Sequence, residues 1–194
     1  MKIVEVITFL ASGGAERFLV DLSNELSKGN EVYILTILDD KKDSEIRNFY
    51  RFAIDSRVHY LNLGLPNGLS YSNQVAVKKA IEEIAPDIVH LHLACTLNYC
   101  AWATLSLAWK CKMYFTIHND LHNGYDRGFL KLICNTLGRL GKFRLACLSN
   151  KNYADCKAFY QHTPIRCIVT GRAPIEPTDW YRNVANEKNS YRHS

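Results

Sequence analysis

The chain has 194 residues, 47% of them hydrophobic and 22% charged, a balance that excludes intrinsic disorder and fibrous repeats and suits one packed domain with a short tail. The formal charge of +5 is too mild and dispersed to imply a nucleic-acid partner, although residues 121–194 hold 12 Lys/Arg against 5 Asp/Glu while residues 1–120 hold 12 against 14. Seven cysteines without a C-x-x-C pair argue against a disulfide framework or a zinc site and for reduced, packed thiols in a cytoplasmic protein.

The first ten residues, MKIVEVITFL, carry a Glu in the would-be apolar segment and so do not suit a signal peptide. They predict instead a first strand over Ile3–Phe9, followed by Ser12-Gly13-Gly14 and a helix. In that helix Ala15, Phe18, Leu19, Leu22 and Leu26 share one face, and Gly29 is expected to close it. Glu31–Leu38 and Val58–Leu63 predict the second and third strands. Val77, Ala80, Ile81 and Ile84 mark a helix stopped by Pro86, and Asp87–Leu93 predicts the fourth strand. Leu93–Trp109 runs for seventeen residues without a charge, short of the ~20 apolar residues of a membrane span, and predicts a buried helix. Strands over Lys112–His118, Leu145–Ser149 and Ile165–Thr170 follow, with helices around 128–140 and 151–161 between them.

Apolar strands alternating with amphipathic helices imply parallel strands covered on both faces. The expected fold is therefore α/β: a doubly wound, mainly parallel, Rossmann-like sheet over residues 1–175. Residues 176–194 have no core pattern and read as a linker or tail.

In such a sheet ligands bind beyond the carboxyl ends of the strands, and three stretches end there with suggestive residues. Ser12-Gly13-Gly14-Ala15-Glu16 combines glycines that admit a close ligand with the free N–H groups of a helix start, which favour phosphate; the alternative is a tight turn. His118, in Thr116-Ile117-His118-Asn119, suits positioning or deprotonating a hydroxyl near neutrality, or is a structural residue. His90 and His92 point to one face, but spacing fixes no third ligand, so no metal is expected. Asp39 ends the second strand where a dinucleotide-binding acid would stand, yet G-x-G-x-x-G is absent. Cys147 and Ser149 read as a packed thiol and a helix cap.

The order Gly13-Gly14-Ala15-Glu16-Arg17, then Pro86-Asp87-Ile88-Val89-His90-Leu91-His92, then Thr116-Ile117-His118-Asn119, then Leu148-Ser149 resembles the amino-terminal domain of family 4 glycosyltransferases. The resemblance implies one half of a GT-B fold, with transfer from a nucleotide-sugar to an acceptor glycan or glycolipid, with retention and without metal or other cofactor. It implies that Gly13 and Gly14 approach the donor phosphates or sugar and that His118 is the catalytic-centre residue. Glu16, His92 and Asn119 would line the acceptor side. The family's second, carboxy-terminal domain has no counterpart before Ser194, so the chain alone is expected to be inactive; a non-catalytic binding or partner-recruiting module is the other reading. Arg127, Lys131, Arg139 and Lys142 opposite Phe129, Ile133, Leu137 and Leu140 form a basic amphipathic stretch, which suits either a solvated helix face or peripheral contact with an anionic membrane at its inner side.

Overall fold

The computed structural model of the protein describes residues 1–41, 44–68, 70–118, 128–159 and 165–167. These residues form one seven-stranded sheet, made of β1 (Lys2–Ile7), β2 (Glu31–Leu38), β3 (Val58–Leu65), β4 (Ile88–His92), β5 (Lys112–Ile117), β6 (Arg144–Cys147) and β7 (Ile165–Cys167). The order is β3-β2-β1-β4-β5-β6-β7, and every neighbouring pair is parallel. The chain winds outward from β1 to β3, returns to β4 on the other side of β1, and winds outward again. That reversal opens a crevice at the carboxyl ends of β1 and β4.

Alternation along the strands sorts the core into two layers. Val4, Val6, Val89, Leu91, Phe115 and Ile117 pack under α3 (Tyr71–Ile84) and α4 (Ala94–Leu107), through Val77, Ile81, Leu97 and Cys100. On the opposite face Ile3, Ile7, Val32 and Ile34 meet Leu19 and Val20 of α1 (Gly14–Leu26). Each fully buried aliphatic side chain contributes about 1.5–3 kcal/mol by leaving water. The short α2 (Ser44–Arg47), α5 (Gly128–Arg139) and α6 (Asn150–Phe159) complete the described helices.

Helix ends follow local chemistry. The Ser70 hydroxyl caps α3 by accepting the Asn73 N–H at 3.1 Å, and Ala85 ends that helix in a left-handed conformation just before Pro86. Gly29 does not play the expected role in α1, because the helix stops at Leu26 and Gly29 has no positive φ. Its N–H still donates to the Leu26 carbonyl at 3.2 Å, and the Asn30 side chain donates to the same carbonyl at 3.0 Å.

Two expectations for the helices are corrected. The uncharged α4 is not wholly buried, since Trp102 and Leu105 are 42% and 39% exposed. With Tyr71, Gln74, Leu132 and Ile133 they line a groove of about 390 Å³ between α3, α4 and α5. Leu140 lies past the end of α5 and is 55% exposed, so it leaves the apolar stripe, while Leu137 is buried and Lys131 and Arg139 face outward. Arg127, the Phe129 side chain and the tail lie outside the described residues. Among the described residues no helix is long and apolar enough to cross a membrane.

Candidate active site

One face of the sheet beside α1 breaks the apolar rule. Glu5 on β1 stands opposite His90 on β4, and His92 stands opposite Thr116 on β5, so three strands bring polar side chains to one place. Glu5 Oε2 lies 2.9 Å from His90 Nδ1 and 2.6 Å from His92 Nε2. From there the contacts spread both ways: His90 Nε2 meets the Thr116 hydroxyl at 2.6 Å, and His92 Nδ1 meets His118 Nε2 at 2.9 Å. Glu5 and His92 are buried, and His118, just past β5, is half-buried at the crevice.

Burial alone would raise the Glu5 pKa, but the charge and hydrogen bonds of His90, with those of His92, overcome it and hold the carboxyl at about 2. A buried carboxylate is tolerated only when paired in this way. Burial drives His92 down to about 4, helped by His90 and opposed by Glu5. Burial likewise drives His118 down to about 3, helped by His92 and His90. His118 is therefore neutral and weakly basic at physiological pH, which favours positioning over deprotonation among the roles expected of it. It is suited to orienting a hydroxyl rather than deprotonating it.

The start of α1 forms the second wall. Gly13 is the N-cap in extended backbone and offers no side-chain cap; the Glu16 carboxylate takes its own N–H, and the other first-turn N–H groups remain for an anion. Neither Gly13 nor Gly14 has a positive φ. An added Cβ at Gly14 would meet nothing within 4 Å, whereas one at Gly13 would collide with the Glu16 carboxylate. Glu16 is buried there, which raises its pKa, an effect partly offset by its own backbone N–H. Phe18, one turn further on, places its ring edge-on to His118 at 5.3 Å and tilted against His92 at 6.1 Å.

The glycosyltransferase family 4 model matches residues 12–171, most of the chain, including the start of α1 and the three histidines but not Glu5. The chain belongs to glycosyltransferase family 4. No curated protein matches it in sequence. Solved structures with the same fold include a glycosyltransferase from Rickettsia africae ESF-5, at 19% identity and a TM-score of 0.61, covering 97% of this chain and 49% of that one. The lipopolysaccharide outer core galactosyltransferase WaaB, in its apo form, gives 14% identity and a TM-score of 0.59, with 86% and 44% covered. Anabaena HepE in complex with UDP-glucose gives 15% identity and a TM-score of 0.57, with 95% and 50% covered. This family 4 chain thus spans about half the length of those GT-B structures, and its sheet is the Rossmann-like half expected from sequence.

Within the family 4 chain, Gly13, Gly14 and Glu16 stand at the start of α1, His92 is buried on β4 and joined to His118 past β5, and Phe18 links the two groups, while Asn119 lies outside the described residues. Glu5 is not among the site residues expected from sequence: its signal is an acid in the middle of an apolar strand, visible as IVEVI, and its meaning depends on β1 pairing with β4. Asp39 is a turn residue whose carboxylate accepts the Lys41 N–H at 3.0 Å. Ser149 caps α6 by accepting the Asn152 N–H at 3.1 Å, and Cys147 is a free, buried thiol.

Glu5, His90 and His92 also bring three potential metal-ligand atoms, one carboxylate oxygen and two imidazole nitrogens, within 4.8 Å of one another. Both imidazole nitrogens concerned already donate to one Glu5 oxygen. A cation there would have to displace both protons and find further ligands, so hydrogen bonding accounts for the cluster more simply.

Proposed function

We propose that this chain forms the acceptor-side half of a retaining glycosyltransferase, which moves a sugar from a nucleotide-sugar to a glycan or glycolipid acceptor in surface-polysaccharide or glycolipid synthesis. The observation that carries the reading is the meeting of a glycine-led helix start, where Gly14 has open space beside its backbone, with a neutral histidine at the end of β5 in a family 4 chain.

In this reading the donor's diphosphate or sugar approaches Gly13 and Gly14, where the absence of Cβ lets the backbone N–H groups reach it. Oriented donors of this kind act on the charge that grows on a leaving diphosphate. His118 orients a sugar hydroxyl. Glu16, His92 and Asn119 border the acceptor, with His92 acting through His118. Metal takes no part, because leaving-group charge is met by N–H groups and by basic side chains of a carboxy-terminal domain that completes the donor site. Residues 1–175 would be the amino-terminal domain and 176–194 the connection to that second domain. The exposed Lys131 and Arg139 of α5, beside the exposed Leu132, Trp102 and Leu105, suit peripheral contact with the anionic inner face of the membrane, and in this reading the enzyme is cytoplasmic.

The test is release of nucleoside diphosphate from a panel of nucleotide-sugars, measured with the chain joined to its second domain and with residues 1–194 alone. Turnover only in the joined protein, unaffected by a chelator, supports the proposal. Robust turnover by residues 1–194, or strict dependence on added metal, overturns it.

A further inference from the structure

We propose that Glu5 is a positioning residue for transfer: through His92 it holds His118 as the tautomer protonated on Nε2, so that the bare Nδ1 accepts a hydrogen bond from a substrate hydroxyl. The inference deepens the function proposed above and rests on its assignment of His118 to the substrate.

The argument is a count of protons along a chain of contacts. An ionised carboxylate only accepts hydrogen bonds, so a nitrogen 2.6 Å from Glu5 Oε2 must carry hydrogen, and that nitrogen is His92 Nε2. A neutral imidazole has one N–H, which leaves His92 Nδ1 bare and able only to accept. Its neighbour at 2.9 Å is His118 Nε2, which must then donate. The same rule applied once more leaves His118 Nδ1 without a proton. Among the described residues no partner takes that nitrogen.

Three features make Glu5 the origin of this polarity. Its carboxyl is held at about 2 and both rings are pushed well below their usual value, so at neutral pH it is an ionised acceptor facing neutral imidazoles. Its Oε2 is anchored from a second side by His90 at 2.9 Å, which fixes the carboxylate's orientation. Phe18 packs on both His92 and His118, keeping water from supplying competing donors.

The consequence is chemical selectivity. With Glu5 in place, the ring matches a hydroxyl donor on the sugar. With the chain reversed, His118 would present N–H at Nδ1 and match a phosphate or carbonyl oxygen instead. A site with the wrong partner leaves a buried polar group unpaired, which is why hydrogen-bonding pockets discriminate strongly.

The experiment is a long-range proton–nitrogen correlation spectrum of the full chain, with histidine labelled by ¹⁵N, recorded without substrate in the presence of a chelator. Wild type should show His92 and His118 each protonated on Nε2 alone. Glu5→Gln can turn its amide to donate to His92, and Glu5→Met removes the acceptor, so in either variant His118 should lose its single Nε2–H form. Two variants keep the test open should one fail to fold. In the protein joined to its second domain, Glu5→Gln should lower kcat by about 10- to 100-fold with little change in KM, and adding it to His118→Ala should cause no further loss. A wild-type spectrum with His118 protonated on Nδ1, or a His118 tautomer unchanged in both variants, would overturn the relay. A shifted tautomer with wild-type kcat would overturn its role in the reaction. Full activity in His118→Ala would instead refute the placement of His118 at the substrate, while the spectrum would still report on the relay.

Discussion

Phe18 of α1 meets His118 edge to face, with ring centroids 5.3 Å apart, and so ties the helix that starts at the two glycines to the end of β5. Burial is the main cause of the low pKa of His118, and Phe18 supplies part of that burial. Replacing it with Ala should cost about 2 kcal/mol for a partly buried ring and admit water to both histidines. The pKa values of His92 and His118, followed by ring NMR shifts between pH 3 and 7, should rise. Unmoved values would show that other residues keep the site dry.

Gly14 separates loop function from loop structure. Since an added Cβ there meets nothing within 4 Å and the residue opens a helix, Gly14→Ala should leave the melting temperature unchanged or raise stability by up to about 1 kcal/mol. Gly14→Val in the joined protein should cut transfer by at least about tenfold while the chain still folds. Wild-type turnover in the Val variant would remove the loop from the donor site.

His118→Ala should lower turnover more than it lowers stability. The ring is half-buried and its loss leaves His92 Nδ1 without its donor, for which a cost of about 1–3 kcal/mol is expected. A turnover loss of about 100-fold with a shift of only a few degrees in Tm is the predicted pattern. A rate loss explained wholly by unfolding would make His118 a structural residue.

The cluster also makes stability depend on pH with a definite sign. Once unfolded, His92 and His118 bind protons below about 6.5, whereas the folded protein keeps them neutral down to about 4 and about 3. The unfolded state therefore holds more protons below pH 6.5, and stability must fall with falling pH. Near pH 5 two such groups give a slope of roughly 2.7 kcal/mol per pH unit. Glu5, lowered to about 2 from 4.5, adds a loss of the same sign below pH 4.5. Urea unfolding at pH 7, 6 and 5 measures the slope, with Glu5, His90, Glu16 and Thr116 intact around the rings. A flat profile between pH 7 and 5 would mean that the two histidines titrate normally in the folded protein.

Contact of α5 with an anionic bilayer is tested by co-sedimentation with phosphatidylglycerol-containing vesicles at low salt. A basic residue near such a surface contributes about 1 kcal/mol, so Lys131→Glu with Arg139→Glu should lower partitioning by roughly thirtyfold or more. Absence of binding at low ionic strength, where screening is weakest, would leave α5 as a covering helix with a solvated outer face.

The sheet was legible in the sequence because each strand is a short apolar run between turns, and all seven appear within a few residues of where those runs lie. That Gly13 and Gly14 open α1 and that His118 follows β5 was legible, because turn glycines and an apolar run mark those element ends. Glu5 was not, since its partners lie 85 and 87 positions away and only strand register brings them together. The exposed flank of α4 was hidden for a different reason: an uncharged helix has no polar side to mark its outer face, and the groove beside Trp102 depends on how α3 and α5 flank it. Leu140 was misplaced because periodicity continued past the point where α5 ends at Arg139.

The pairing of β1 with β4 has a consequence for how the protein reaches its native state. Glu5 must leave water as the sheet closes, and its desolvation is offset only when His90 and His92 arrive opposite it. A slip of one residue along β4 would turn both rings to the other face and strand the carboxylate among Val89 and Leu91. The site thus acts as a proofreading device for strand register: a chain that docks β1 wrongly keeps an uncompensated buried charge, and the misaligned sheet is selected against before the crevice can exist.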